Sequence, residues 1–183
     1  MSYKVQSSKG GWDNPVFEWL KGFRRKEKPA QSRCIVLTYA CTNGIEKCLK
    51  DYIKKRHEGI CYLYGVIGDE VILLVSVIKP QAETTYGSFF VSAKSMAQVV
   101  RVGANNSLQV VGQVHTHPRQ AFHSDGDDKG AHTAYDGYVS IVLPDYGKKL
   151  PSFKGAAFFV YVKGHGFIDV PASKVKIVPE VVV

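Results

Sequence analysis

The feature that most constrains this chain is a strand with a marked end. Leu108-Gln-Val-Val-Gly-Gln-Val-His115 is rich in β-branched residues, which fit a pleated, half-buried surface. Pro118 follows shortly after and has no N–H to give a ladder, so the strand stops there. Side chains at i and i+2 share one face of a strand, so His115 and His117 can converge on one ion. The Gly-containing loop that follows carries Ser124 and then Asp127, within ten positions of His117. Two imidazoles and one carboxylate are a ligand set for a catalytic zinc with an open fourth position. The same residues have plainer readings. A His-x-His pair can be two surface histidines, and Ser124-x-x-Asp127 fits a capping box at a helix start.

A second element upstream raises the first reading over the plain ones. Glu58-Gly-Ile-Cys61-Tyr-Leu63-Tyr-Gly65 opens a strand directly after a helix and sets a carboxylate at its first position. Alone, Glu58 is a solvated residue at a helix–strand junction. Beside the strand that ends at His115, it can take a proton from an activated water and return it to a leaving amine.

Glu58, the Leu63 and Gly65 that follow it, His-x-His-Pro and Ser-x-x-Asp together resemble the signature of the JAMM (MPN+, or JAB) zinc metalloproteases. The resemblance extends over roughly residues 33 to 178, including the order of strands and helices. It implies that His115, His117 and Asp127 bind one Zn2+ per chain, that Glu58 is the general acid/base, and that Ser124 helps hold the tetrahedral intermediate. It further implies cleavage of an isopeptide or peptide bond after the C-terminal glycine of a ubiquitin-like protein, as deconjugation or precursor processing. Small stand-alone domains of this style look like bacterial deconjugases encoded beside ubiquitin-like proteins and their activating and conjugating enzymes, antiphage systems among them. Some bacterial relatives instead process sulfur-carrier proteins.

The chain departs from that pattern in three places. Six residues separate His117 from Ser124, one fewer than is common in the family. His123 precedes the serine where bacterial members often have proline, and Cys61 stands at a glycine position. The shortened loop makes Asp125, Asp128 and His123 alternatives to Asp127, which keeps the serine-plus-three spacing. Two other kinds of protein share parts of the pattern. One is a metal-free MPN-like interaction scaffold, against which the intact Glu58, His115, His117 and Asp127 speak. The other is a RadC-type DNA-associated JAB protein, for whose additional N-terminal domain residues 1–31 are too short.

Composition is compatible with this reading. The 183 residues suffice for one domain with a core, and 45% hydrophobic and 11% aromatic content argue against disorder. The net charge of +8 raises the question of nucleic acid. Its basic residues gather at Lys21 to Lys28 and at Lys47 to Arg56. The second group falls on the polar face of a helix whose apolar positions are Ile45, Cys48, Leu49, Tyr52 and Ile53. No aromatic-interleaved RNA motif accompanies it, and an acidic protein partner would be served equally well. Cys34, Cys41, Cys48 and Cys61 form no Cys-x-x-Cys pair and read as reduced thiols. The longest apolar run, residues 71–78, is too short to cross a bilayer, and no signal-peptide core follows Met1. A soluble, cytoplasmic protein with no membrane or nucleic-acid partner is the expectation.

The coarse map separates a basic, aromatic-containing N-terminal extension (1–31), with a short helix beginning at Asp13-Asn14-Pro15, from a JAB/MPN-like domain (32–183). In that domain the patterning predicts a strand at about 33–39 and a helix at about 43–57, capped by Asn43 with Glu46. A hairpin with strands near 59–67 and 70–78 follows. Next come a loop at 79–86, a short strand near 88–91, and a helix from Ser92 to about Val102; residues 79–87 could form one wall of the site. After the histidine strand come a short helix at about 125–135 and a strand at 138–143. Strands at 156–163 and 167–170 then pair, and 172–178 adds an edge element. His57, His132 and His165 read as surface residues. The class is α/β (α+β), one domain, with a mixed, mainly antiparallel sheet flanked by helices.

Overall fold

The computed structural model describes residues 32–124 and 134–179. The β-branched and aromatic runs form β1 (Cys34–Thr38), β2 (Ile60–Ile67), β3 (Val71–Ile78), β4 (Glu83–Thr84), β5 (Phe89–Phe90), β6 (Gln109–Thr116), β7 (Val139–Leu143), β8 (Ala157–Val162), β9 (Gly166–Asp169) and β10 (Val175–Val178). Among the described residues two α-helices, α1 (Tyr39–Lys55) and α2 (Ala93–Asn105), accompany them. Eight strands make one sheet in the order β10-β1-β3-β2-β6-β7-β8-β9, while β4 and β5 form a separate hairpin. The β10–β1, β1–β3 and β6–β7 pairs are parallel and the rest antiparallel. This is the expected mixed sheet, and residues 172–178 do supply an edge strand.

The period-2 pattern of β2 explains the layering. Cys61 and Leu63 point into a core shared with Ile45 and Leu49 of α1, whereas Ile60, Tyr62 and Tyr64 pack with Val99 of α2. A strand covered on both sides has no polar face, and β2 is buried over its first six residues. Each of these large apolar side chains contributes about 1.5–3 kcal/mol by leaving water. Between Leu63 and Gly65 the register slips against both neighbours. A β-carbon on Gly65 would lie 1.8 Å from the Leu73 carbonyl oxygen, so no larger residue fits that bulge.

Helix α1 begins earlier than the expected residue 43. Thr38 ends β1 in an extended conformation, and its hydroxyl accepts from the Cys41 N–H at 3.2 Å. It is therefore the N-cap, and Asn43 lies inside the helix. The buried stripe Cys41, Ile45, Leu49, Tyr52 has the spacing that puts side chains on one helical face. Helix α2 has the expected cap, with Ser92 accepting from the Ser95 N–H at 3.2 Å, and it runs three residues past Val102. The loop expected at 79–86 contains β4, paired with β5. The expected helix at 125–135 falls mostly, and the N-terminal extension wholly, outside the described residues. Among the described residues no helix is long and apolar enough to cross a membrane.

Candidate metal centre

The site is set by strand register. Ile60 of β2 lies opposite His115 of β6. One step further, the Thr116 N–H donates to the Gly59 carbonyl at 3.0 Å, and the Gly59 N–H donates to Thr116 Oγ1 at 2.8 Å. Glu58 and His117, each the next residue beyond these, line the same cleft. Because side chains alternate, Glu58, His115 and His117 share one face and Gly59 and Thr116 the other. On the far side α1 comes so close that a β-carbon on Gly59 would lie 2.7 Å from Tyr52 and 2.8 Å from Leu49. His115 is wholly buried; His117 and Glu58 are each 7% exposed. The two imidazole centroids are 5.1 Å apart.

Beyond the strand, His117 is held by its backbone. Its N–H donates to the Leu143 carbonyl at 2.9 Å, and its carbonyl accepts from the Tyr146 N–H at 2.8 Å. Tyr146 belongs to the 3-10 turn Asp145–Gly147, where both Asp145 (φ 53°) and Tyr146 (φ 58°) are left-handed. Such a conformation costs a non-glycine residue about 1–3 kcal/mol and persists where the surroundings enforce it. Here the enforcement is visible: the Tyr146 hydroxyl donates to the Tyr86 carbonyl at 3.0 Å, and the two rings meet edge-on at 5.8 Å.

A cleft of about 530 Å³ opens over Glu58, His117 and Ser124, with Tyr86, Phe89 and Phe122 among its walls. Tyr86 and Gly87 bring the loop expected at 79–86 into that wall, and the Glu58 N–H donates to the Thr85 carbonyl at 2.8 Å. Phe122 packs its ring against His117 at 4.8 Å. His123 does not line the cleft. Its ring lies 4.2 Å from that of Phe167 and 5.1 Å from that of Phe159, with His115 at 6.3 Å. Asp127, with Asp125 and Asp128, lies outside the described residues. Among those described, no three His, Cys, Asp or Glu side chains group closely enough to hold an ion. The chemistry of the donor set nonetheless suits zinc: adjacent imidazoles on one strand face, leading into a loop rich in carboxylates, are borderline-soft donors.

Cys61, at the glycine position of the family pattern, faces α1 rather than the cleft. Burial pushes its thiol well above the ordinary range and lifts Cys41 to about 12, so neither is a nucleophile or a ready thiolate ligand at neutral pH. Sequence reasoning did not single out Tyr86, Phe122 or Tyr146. The only signal for Tyr146 was the turn Pro144-Asp-Tyr-Gly147, which has no ligand chemistry of its own.

A family model described as prokaryotic homologs of the JAB domain matches residues 49–161, a span that contains Glu58, His115, His117, Ser124 and Asp127. The chain is 23% identical over 145 residues to a probable metalloprotease, y4jG, of Sinorhizobium fredii, covering 77% of this chain and 90% of that protein. It is also similar in structure to protein DSY2949 from Desulfitobacterium hafniense, with a TM-score of 0.57, 16% identity, and coverage of 81% of this chain and 94% of that one. At that identity the likeness shows the fold alone.

Proposed function

Because the chain belongs to the prokaryotic homologues of the JAB domain, we propose that it is a zinc metallopeptidase that cleaves after the C-terminal glycine of a ubiquitin-like protein. The observation that supports this reading is the cleft lined by Glu58, His117 and Ser124, with the buried His115 two residues before His117 on β6. The probable metalloprotease of Sinorhizobium fredii supports the same chemistry. His115, His117 and Asp127 would hold the ion. Bound zinc would lower the pKa of its water to about 7 and polarise the scissile carbonyl.

The remaining work falls to the chain's own groups. Glu58 takes the proton of the attacking water and passes it to the departing amine. The Ser124 hydroxyl donates to the oxygen on which charge develops. Tyr86 and Phe122 wall the cleft, which would take an extended tail ending in glycine. The setting we propose is a cytoplasmic bacterial conjugation system, antiphage defence included. The ubiquitin-like protein or its conjugates would be substrate, and the activating and conjugating enzymes would be neighbours.

Zinc content by elemental analysis, paired with cleavage of a ubiquitin-like protein fused to a reporter, tests the reading. One zinc per chain is expected, lost in His117→Ala and Asp127→Ala and kept in Asp128→Ala. Glu58→Gln should keep the metal and lose about two to four orders of magnitude in rate. A protein that takes up no zinc would overturn the reading in favour of a metal-free scaffold, and a fully active Glu58→Gln would overturn the assignment of the base.

A further inference from the structure

A second cleft, of about 480 Å³, lies between α1 and the turn that follows β7. Lys47, Lys50 and Lys54 line one wall and Lys148 the other, over Ile53 and Leu150. We propose that this cleft binds an acidic segment of a partner protein.

Lys47, Lys50 and Lys54 are spaced by three and four residues, so they form one stripe on α1, and like charges at that spacing destabilise a helix. Lys54 lies in the last turn, where the helix dipole favours a cation. Lys47 and Lys50 lie mid-helix, where Asp51 and Glu46, each four residues away, offset them only in part. Lys148 then adds a fourth ammonium from the opposite wall. All four are exposed, and among the described residues none of the four forms an ion pair. Glu46 lines the cleft too, leaving the lysines in excess. An arrangement that repels itself when empty is relieved by an anionic occupant.

The lining selects the class of anion. Among the described residues it contains no arginine to grip a phosphate bidentately and no aromatic ring to stack a base. Ile53 and Leu150 are half-buried and apolar, which suits a segment that alternates carboxylates with an aliphatic side chain. Gly147 belongs to both this lining and the turn that holds His117, so one turn adjoins both regions. The inference concerns binding alone and does not depend on the peptidase reading.

Fluorescence anisotropy on the full chain tests it. The probe is a labelled twelve-residue peptide of glutamates with a leucine at every fourth position. Its all-lysine counterpart and a single-stranded RNA of equal charge serve as competitors. Binding of the acidic peptide should weaken with added salt and fall about tenfold in the Lys50→Glu/Lys148→Glu variant. The milder Lys50→Gln/Lys148→Gln variant should show a smaller loss. Lys94→Glu, on the exposed face of α2, should bind as the parent does. Absence of binding at low salt, or binding that survives both double substitutions, would overturn the proposal. So would an equal loss in Lys94→Glu, or RNA bound in preference through the same lysines.

Discussion

At the scale of single residues, Tyr146 sits in a strained backbone (φ 58°) and spends its two hydrogen bonds on the His117 carbonyl and the Tyr86 carbonyl. One residue thus fixes both a proposed ligand and the wall that faces it. Tyr146→Phe keeps the ring and the N–H but removes the bond to Tyr86. On the peptidase reading, its KM should rise several-fold while kcat and zinc content stay near the parent's, because the wall loosens and His117 does not move. Steady-state kinetics with elemental analysis decides this, and loss of zinc or of kcat alone would contradict it. The same contrast shows what the sequence could express. His115 and His117 are legible because an i, i+2 spacing on a strand is itself a geometric statement. Tyr146 is not, because its partners are backbone carbonyls, one of them 60 residues away, and no side-chain pattern encodes them.

At the scale of elements, periodicity marks the interior of a helix or strand but not its ends. The apolar spacing of α1 is visible in the sequence, but Asn43, the cap that spacing suggests, lies four residues after the first helical residue, Tyr39. Thr38 hides the boundary because it serves two elements: it is the last residue of β1 and the cap of α1, and its hydroxyl also donates to the Val75 carbonyl at 3.3 Å. Thr38→Ala should therefore cost about 1 kcal/mol, and Asn43→Ala distinctly less, as read from urea midpoints. Equal losses would restore the later start. The contact between α1 and β2 has a sharper probe in Gly59. An added methyl meets Tyr52 and Leu49 well inside contact distance, so Gly59→Ala should destabilise by roughly 1–3 kcal/mol. It should also slow cleavage, since Glu58 is its chain neighbour; a variant with parental stability would show that α1 can retreat.

For the whole molecule, the layering that aligns the site also determines how the fold responds to alkali. Class and most strands were legible, because alternating and β-branched runs announce a sheet. The order β10-β1-β3-β2 was not, since it joins strands from opposite ends of the chain, and only the packed core selects it. That core buries ionisable groups in neutral form. Burial lifts Cys41 from 9.0 to about 12 and Tyr62 from 10.0 to about 12, and it pushes Cys61 well up, chiefly by desolvation. In the unfolded chain these groups lose their protons from about pH 9 upward, while the native state keeps them. The native state then binds more protons, so stability must fall as pH rises through that window. Below pH 9 both states are protonated at these groups, and their contribution is intact. Urea midpoints should accordingly hold steady from pH 7 to 8.5 and decline by on the order of a few kcal/mol of stability towards pH 12. Cys61→Ala should soften the decline. Tyr62 and Cys61 belong to the strand that Glu58 leads into, so cleavage should fail along the same curve. Stability that went on rising past pH 10 would mean that the α1 and α2 layers do not seal β2 from water.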